Sequence, residues 1–295
     1  MRLSIVFLVL LLPAWAAAQE CTVTVLASFY DQLTKNEIET LKTEDFEVKI
    51  DGKILPVQSA SRDFHNRLLI LLETEGSAKN DKLAELVNTV TAQAREAPEG
   101  QPVAFGIFAG KSLFTKEFLS DPDKRAKAVN AVIEEAGSLG KDAALWDALH
   151  QALAVLGPHQ PGDTILLVGD PYDNASHHSA ESVEKEFIAN ETRLFMMRRL
   201  HGSRVDRDFV WRSHDLEKMV LDRLTQETGG LLSEYVPSLI RFGWAGYILE
   251  FKVPPLTRRT HKWKVQFRGA AVEKHRKSNY YFPALLPSCS PPKPS

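Results

Sequence analysis

Residues 68–81 read "LLILLETEGSAKND", and the fold turns on them. Leu68 to Leu72 are apolar at every position, the mark of a strand covered on both faces rather than one. The run stops at Glu73, Glu75, Gly76 and Ser77, and helical spacing takes over in "DKLAELVNTVTAQAREA". A buried strand that ends in oxygen donors just before a helix is a common way for an α/β fold to build a cation or phosphate site. Working outward, "VAFGIF" (103–108), "TILLV" (164–168) and "TRLFMM" (192–197) repeat the buried-strand pattern. Helices are expected between them. Asp121-Pro122 opens one that Gly137 closes, and Asp142 opens another that stops at Gly157-Pro158. Segment 181–190 and "HDLEKMVLDRLTQETGG" supply two more. Strands alternating with helices predict a doubly wound, mostly parallel sheet with helices on both faces.

Both flanks change rhythm. "TVTVLAS" (22–28) and "FEVKIDGKILPVQ" (46–58) read as strands, the second folded at Asp51-Gly52. "GYILEFKV" (246–253) and "HKWKVQFR" (261–268) alternate apolar and polar residues, as half-buried strands do. Each β piece is too short to hold a core alone, so the two ends are expected to form one small β unit with the α/β region inserted between them.

The chain is 295 residues long and 44% apolar, enough for a large core, and its 36 basic and 38 acidic residues nearly cancel. That balance offers no global field for nucleic acid or an anionic membrane. Residues 1–18, "MRLSIVFLVLLLPAWAAA", have the early Arg2, the short apolar stretch and the small-residue end of a secretory signal, with cleavage before Gln19. The apolar part is shorter than the ~20 residues a span needs. A secreted or periplasmic, cell-envelope location follows, with no membrane span after signal removal. Cys21 and Cys289 are the only cysteines. In an oxidising compartment such a pair is expected to bridge and bring the two ends together; two free thiols on frayed ends are the alternative.

Several motifs dissolve on inspection. "GIFAGKS" (106–112) leaves three residues between its glycines where a phosphate loop needs four, and reads as a hairpin turn. "AGSLG" (136–140) lacks the first glycine and the preceding strand of a nucleophile elbow, and reads as a helix stop. His177-His178 are adjacent, and neighbouring side chains diverge on a regular element, so zinc is not expected there. "NAS" (174) and "NET" (190) match a glycan acceptor pattern that recurs by chance. The strand-end acids remain. Glu73, Glu75 and Ser77 after the first buried strand, with Asp170 and Asp173 after the third, could meet at one crevice, where hard oxygen donors suit Ca²⁺ or Mg²⁺. The plain alternative is solvated loop residues and helix caps, with Ser77 or Asn80 capping a helix near Asp81.

The order of these pieces resembles the von Willebrand factor type A domain, in particular the secreted bacterial subgroup known as VWFA-related. "LKTEDFEVKIDGKILPVQ" is similar to the family's leading segment, and "LLILLETEG" stands where the family has its first strand and Asp-x-Ser-x-Ser metal motif. "DAALWDALHQAL" resembles the family's Thr-Ala-Leu-Tyr-Asp-Ala-Leu opening, "ILLVGDPYDNAS" its Leu-Thr-Asp-Gly-x-Asp strand end, "LTQETGGLLSE" its late Thr-Gly-Gly, and "GYILEFKVP" its closing strands. The resemblance divides the chain into signal 1–18, N-terminal β segment 19–65, type A domain 66–240, C-terminal β segment 241–288 and tail 289–295. It implies a domain that binds other macromolecules, often through a metal-ion-dependent adhesion site on the upper edge of the sheet. Carried over by position, that site is degenerate. Glu73 replaces the first Asp, Glu75 replaces the first Ser, Ser77 and Asp170 remain, and Ala143 stands where the Thr oxygen should be. Mg²⁺ needs near-octahedral geometry, so this set suits it poorly; Ca²⁺ tolerates irregular acidic cages. Crowded Glu73 and Glu75 without a metal are expected to repel, raising the pKa of one. No nucleophile–base pair is visible, so the chain is not expected to be an enzyme. The expectation is a non-enzymatic protein-binding or scaffold module without a cofactor, its protein ligand unnamed. The rival is a Ca²⁺- or Mg²⁺-dependent adhesion module using the remodelled acids.

Overall fold

The computed structural model describes residues 21–31, 38, 40–62, 66–74, 88, 91–92, 97, 100–140, 142–169, 172–198, 215–234, 246–253 and 262–286. The signal segment, Glu75, Ser77, Asn80, Asp170 and Cys289 lie outside them, and so does most of the helix expected from residue 81. Residues 88, 91 and 92 are helical.

The central sheet is mixed α/β. Its strands are β4 (Leu68–Glu73), β5 (Val103–Phe108), β6 (Ser112–Phe114), β7 (Thr164–Gly169), β8 (Arg193–Arg198) and β9 (Leu232–Glu234), in the order β6-β5-β4-β7-β8-β9. All neighbours run parallel except the edge hairpin β5–β6. Its helices are α1 (Pro122–Glu134), α2 (Leu145–Leu156), α3 (Ala180–Ala189) and α4 (Asp215–Glu227). Strands β4, β5 and β7 are buried at every residue, and alternation assigns each side chain to a face. Leu68, Ile70 and Leu72 meet Val129 and Val132 of α1 on one side. Leu69 and Leu71 share the other core with α2, α3 and α4. Chain order reverses at β4, which has β5 on one flank and β7 on the other, so the crevice beyond their carboxyl ends is where such sheets gather ligands.

The second sheet is antiparallel and draws on both ends of the chain. Strands β1 (Cys21–Asp31), β2 (Phe46–Ile50), β3 (Lys53–Ser61), β10 (Tyr247–Val253), β11 (Trp263–Phe267) and β12 (Ser278–Tyr281) take the order β11-β2-β3-β10-β1-β12. Asp51 and Gly52 both have positive φ, as a two-residue hairpin with the strands' own twist requires. β1 changes partner along its length, pairing β10 over Cys21–Ala27 and β12 over Ser28–Asp31. Phe29, Phe46, Tyr247, Phe251 and Phe267 fill a core between the strands.

Some boundaries differ from expectation. α2 begins at Leu145 after the cap position Ala144, not at Asp142. α1 ends at Glu134, and Gly137 lies in the 3-10 turn Ala136–Ser138; the positive φ falls at Gly140 instead. β9, β12 and the one-turn helix α5 (Ala270–Lys274) have no counterpart in the expected elements, being only three to five residues long. The phosphate-loop look-alike is the β5–β6 hairpin, and Gly106 leaves room for the Phe114 ring lying over it.

Candidate functional site

Glu73, the last residue of β4, is fully buried. Its side chain lies over Gly169 at the end of β7, where a Cβ would stand 2.5 Å from Glu73 Oε2 and 2.6 Å from its Cβ. The missing side chain at 169 is what admits the longer acid. Thr74 turns the chain away, its N–H and hydroxyl both donating to the Phe108 carbonyl at 2.8 and 3.0 Å. Of the expected site, Glu73 and Ala143 are thus on view, while Glu75, Ser77 and Asp170 lie outside the described residues, as does the expected Glu73–Glu75 repulsion.

What holds the rim is the loop after β7, residues 172–179, stitched to the start of α2. Asp173, assigned from sequence to a possible Ca²⁺ cage, accepts the Leu145 N–H at 2.8 Å and the Ser176 hydroxyl at 2.5 Å through Oδ1. Asn174 Oδ1 accepts the Ala143 N–H at 2.8 Å, and the Ala143 carbonyl accepts the N–H groups of Asn174 and Ala175. Ser176 Oγ accepts the Asp147 N–H at 3.1 Å. The first turn of a helix leaves N–H donors without intrahelical partners, and Ala144 has no side chain to cap them. The loop supplies those caps from a distant part of the chain. Ala143, where the resemblance placed a metal-binding Thr, has no side-chain oxygen, and its backbone groups are already engaged.

Asp147, missed in the sequence, returns the tie. Its carboxylate accepts the His177 and His178 N–H groups at 2.8–3.0 Å, and faces His177 Nδ1 at 3.0 Å and His178 Nδ1 at 2.7 Å. Burial works against its charge, yet the backbone donors of His178 and His177 and then the two rings outweigh it and hold the carboxyl far below the usual range. The expected divergence of adjacent histidines is therefore corrected. They sit in a bend rather than a regular element, and both rings turn to one acid. His178 also stacks on His150 at 4.0 Å, and His150 Nδ1 lies 2.7 Å from Glu186 Oε2. Among the described residues no group of three or more His, Cys, Asp or Glu is set to hold a metal. The only signal for this arrangement was "DNAS", a cluster of short oxygen-bearing residues of the cap-forming kind; nothing in it names a helix so far upstream.

A second cluster joins the two sheets. Arg193 is fully buried, donates through Nε and Nη2 to the Gly229 carbonyl and through Nη2 to Ser28 Oγ, and lies 4.8 Å over the Phe195 ring. Burial pushes its guanidinium down to about 10, opposed by Tyr30. Beside it, Gly229 has positive φ and abuts Phe282 and Pro283, and a Cβ on Gly230 would penetrate the Leu194 carbonyl. A cleft of about 260 Å³ opens along this seam between α4, Gly229–Leu232 and Tyr280–Phe282.

No known family profile matches the chain, and no curated protein does. Solved structures do. BatB, a conserved hypothetical protein from Bacteroides thetaiotaomicron, matches at 13% identity and TM-score 0.45, over 60% of this chain and 94% of that one. An aerotolerance-related membrane protein from Bacteroides fragilis matches at 15% identity and TM-score 0.44, over 59% and 92%. A von Willebrand factor type A protein from Catenulispora acidiphila matches at 12% identity and TM-score 0.44, over 77% and 49%. At these values the likenesses carry no argument about function.

Proposed function

We propose that the chain is a non-enzymatic protein-binding or scaffold module of von Willebrand type A kind whose upper rim is organised by its own side chains rather than by a cation. The observation that carries this reading is the use of Asp173 and Asn174. Asp173 caps the first N–H of α2 and Asn174 holds the Ala143 N–H just before the helix, so together they occupy the backbone around Ala143 where the family's adhesion site would need an open coordination position. A carboxylate fixed by a helix N–H and a hydroxyl is a poor recruit for a metal cage, and Ala143 offers no oxygen ligand. The engagement of Asp173 and the missing oxygen at Ala143 support a rim without an adhesion-site ion. Calorimetry of the mature protein with Ca²⁺, Mg²⁺ and Mn²⁺ tests the reading. No saturable heat is expected up to millimolar cation. Clear binding abolished by Glu75→Ala with Asp170→Ala would replace it with the cation-dependent adhesion module.

The small β unit built from both ends, the location outside the cytoplasm and a Cys21–Cys289 bridge belong to the same proposal. Among the described residues no cysteine is free. Residues 282–286 are also aimed suitably. Trp263 packs on Phe282 and donates through Nε1 to the Ala284 carbonyl at 3.1 Å. Trp263 also lies beside Phe251, the cross-strand partner of Val23, two residues from Cys21. Cys21 and Leu286 then pack on one core. In the chain-entropy model a loop this long adds about 5–6 kcal/mol. Non-reducing mass spectrometry is expected to show the two cysteine peptides joined; two alkylatable thiols in the folded, oxidised protein would refute the bridge.

A further inference from the structure

The near-neutral total charge conceals a local excess. On the outer face of the antiparallel sheet, Lys264 of β11 stands directly opposite Lys49 of β2, and Lys49 directly opposite Ile54 of β3. Like charges placed opposite one another across strands destabilise a sheet, so this pair costs the fold stability. Lys262, just before β11 and on the same face, extends the group and is exposed, whereas Lys53, opposite the buried Ile50 at the Asp51-Gly52 turn, belongs to the other face. None of Lys49, Lys262 and Lys264 has a carboxylate in ion-pair range among the described residues. Three acids lie nearby, Glu47 among them on the same face, each hydrogen-bonded to a neutral donor, so the cationic excess is a net one. Glu47 takes the Gln266 amide, Asp51 Oδ1 accepts the Lys262 N–H, and Glu250 accepts from Ser59 Oγ. Ile54 is 59% exposed in the midst of the lysines, one of the few large apolar side chains so placed, and Pro56 beside it is exposed as well.

We propose that this face, the outer surface of β11, β2 and β3, docks on an anionic lipid surface. The chemistry is complementary. Lysine ammonium groups meet headgroup phosphates while their methylene stems and Ile54 lie against the interface. An open sheet face bearing unpaired cations around an apolar centre matches a planar array of anions. The face is separate from the capped rim, so the protein-binding reading and this one stand or fall independently.

Co-sedimentation of the mature chain with phosphatidylcholine vesicles containing about one third phosphatidylglycerol provides the test, with pure phosphatidylcholine as control. Binding is expected to the anionic vesicles alone and to weaken steeply with salt. Each surface lysine contributes about fivefold, so Lys49→Thr with Lys264→Thr is expected to weaken binding about 25-fold. The same pair of substitutions removes a repulsion and keeps β-forming residues, so its melting temperature is expected to equal or exceed the parent's. A loss of binding is then not a loss of fold. Ile54→Ser is expected to weaken binding in a way that salt does not mimic. Absence of binding at low salt, equal binding by the double variant, or retention on heparin or DNA without retention on vesicles would each overturn the proposal.

Discussion

Asp147 accepts two backbone N–H groups and faces two imidazole nitrogens, so its charge is the pivot of the loop that covers α2. Asp147→Asn keeps the shape and removes the charge, and one of its two terminal atoms becomes a donor facing donors. Hydrogen bonds to charged groups contribute about 1.5–3 kcal/mol, so a loss of about 2–3 kcal/mol is expected by urea denaturation at neutral pH. The sign with pH follows from the lowered folded-state pKa. The contribution is present above the unfolded carboxyl value and fades only as pH falls toward the depressed folded one. The difference between parent and Asp147→Asn should therefore hold at neutral pH and shrink in strong acid. Arg193 poses the opposite case, a buried cation with a ring and neutral oxygens for company. Replacing a buried charge by an apolar group of similar size is often neutral or stabilising, whereas a cavity costs about 2–5 kcal/mol. Arg193→Met is expected within about 1 kcal/mol of the parent, and Arg193→Ala about 3 kcal/mol below it. Matched urea curves would separate the two.

At the scale of the element, α2 depends on a loop that follows it by a strand. Asp173→Ala should cost about 1 kcal/mol, as a lost cap does, and Asn174→Ala about 1 kcal/mol through the lost hydrogen bond from the Ala143 N–H. Because both act on one helix start, the double variant should deviate from additivity. Hydrogen exchange at the Ala143 and Leu145 amides is the direct readout, and faster exchange is expected there while β4 and β7 amides stay protected. This is also where the sequence was least legible. The strands at 68–73, 103–108, 164–169 and 193–198 announce themselves because burial on both faces forces an unbroken apolar run. The start of α2 misled because Asp142 has the right chemistry for a cap and stands beside the right pattern, while the actual acceptors come from the loop after β7. A local pattern carries no record of a donor satisfied from elsewhere in the chain. The lysine pair at 49 and 264 was hidden for the same reason, since each residue alone is an ordinary polar position on an alternating strand.

At the scale of the whole molecule, two sheets of different construction meet along Arg193, Gly229 and the Phe282–Ala284 segment. The Ala284 N–H donates to the Glu227 carbonyl at the end of α4, and the Ala284 carbonyl accepts from Trp263 in the other sheet. One short segment thus touches both. Gly229 and Gly230 permit that approach, and Gly230→Ala is expected to cost more than about 4 kcal/mol, because backbone rather than a flexible side chain stands in the way. Circular dichroism melting would show it. The general α/β architecture was readable from alternation of elements. The grouping of strands from both ends was readable only as an economy, since neither end could form a core alone.

The exchange of partners along β1 bears on how the protein comes into being. The described strands that pair with residues 21–31, β10 and β12, both follow residue 246, so they are made long after β1 itself. The inserted α/β region can close its mostly neighbouring pairings first. Until then an apolar N-terminal ribbon waits without a mate, an open edge available to chaperones or to aggregation.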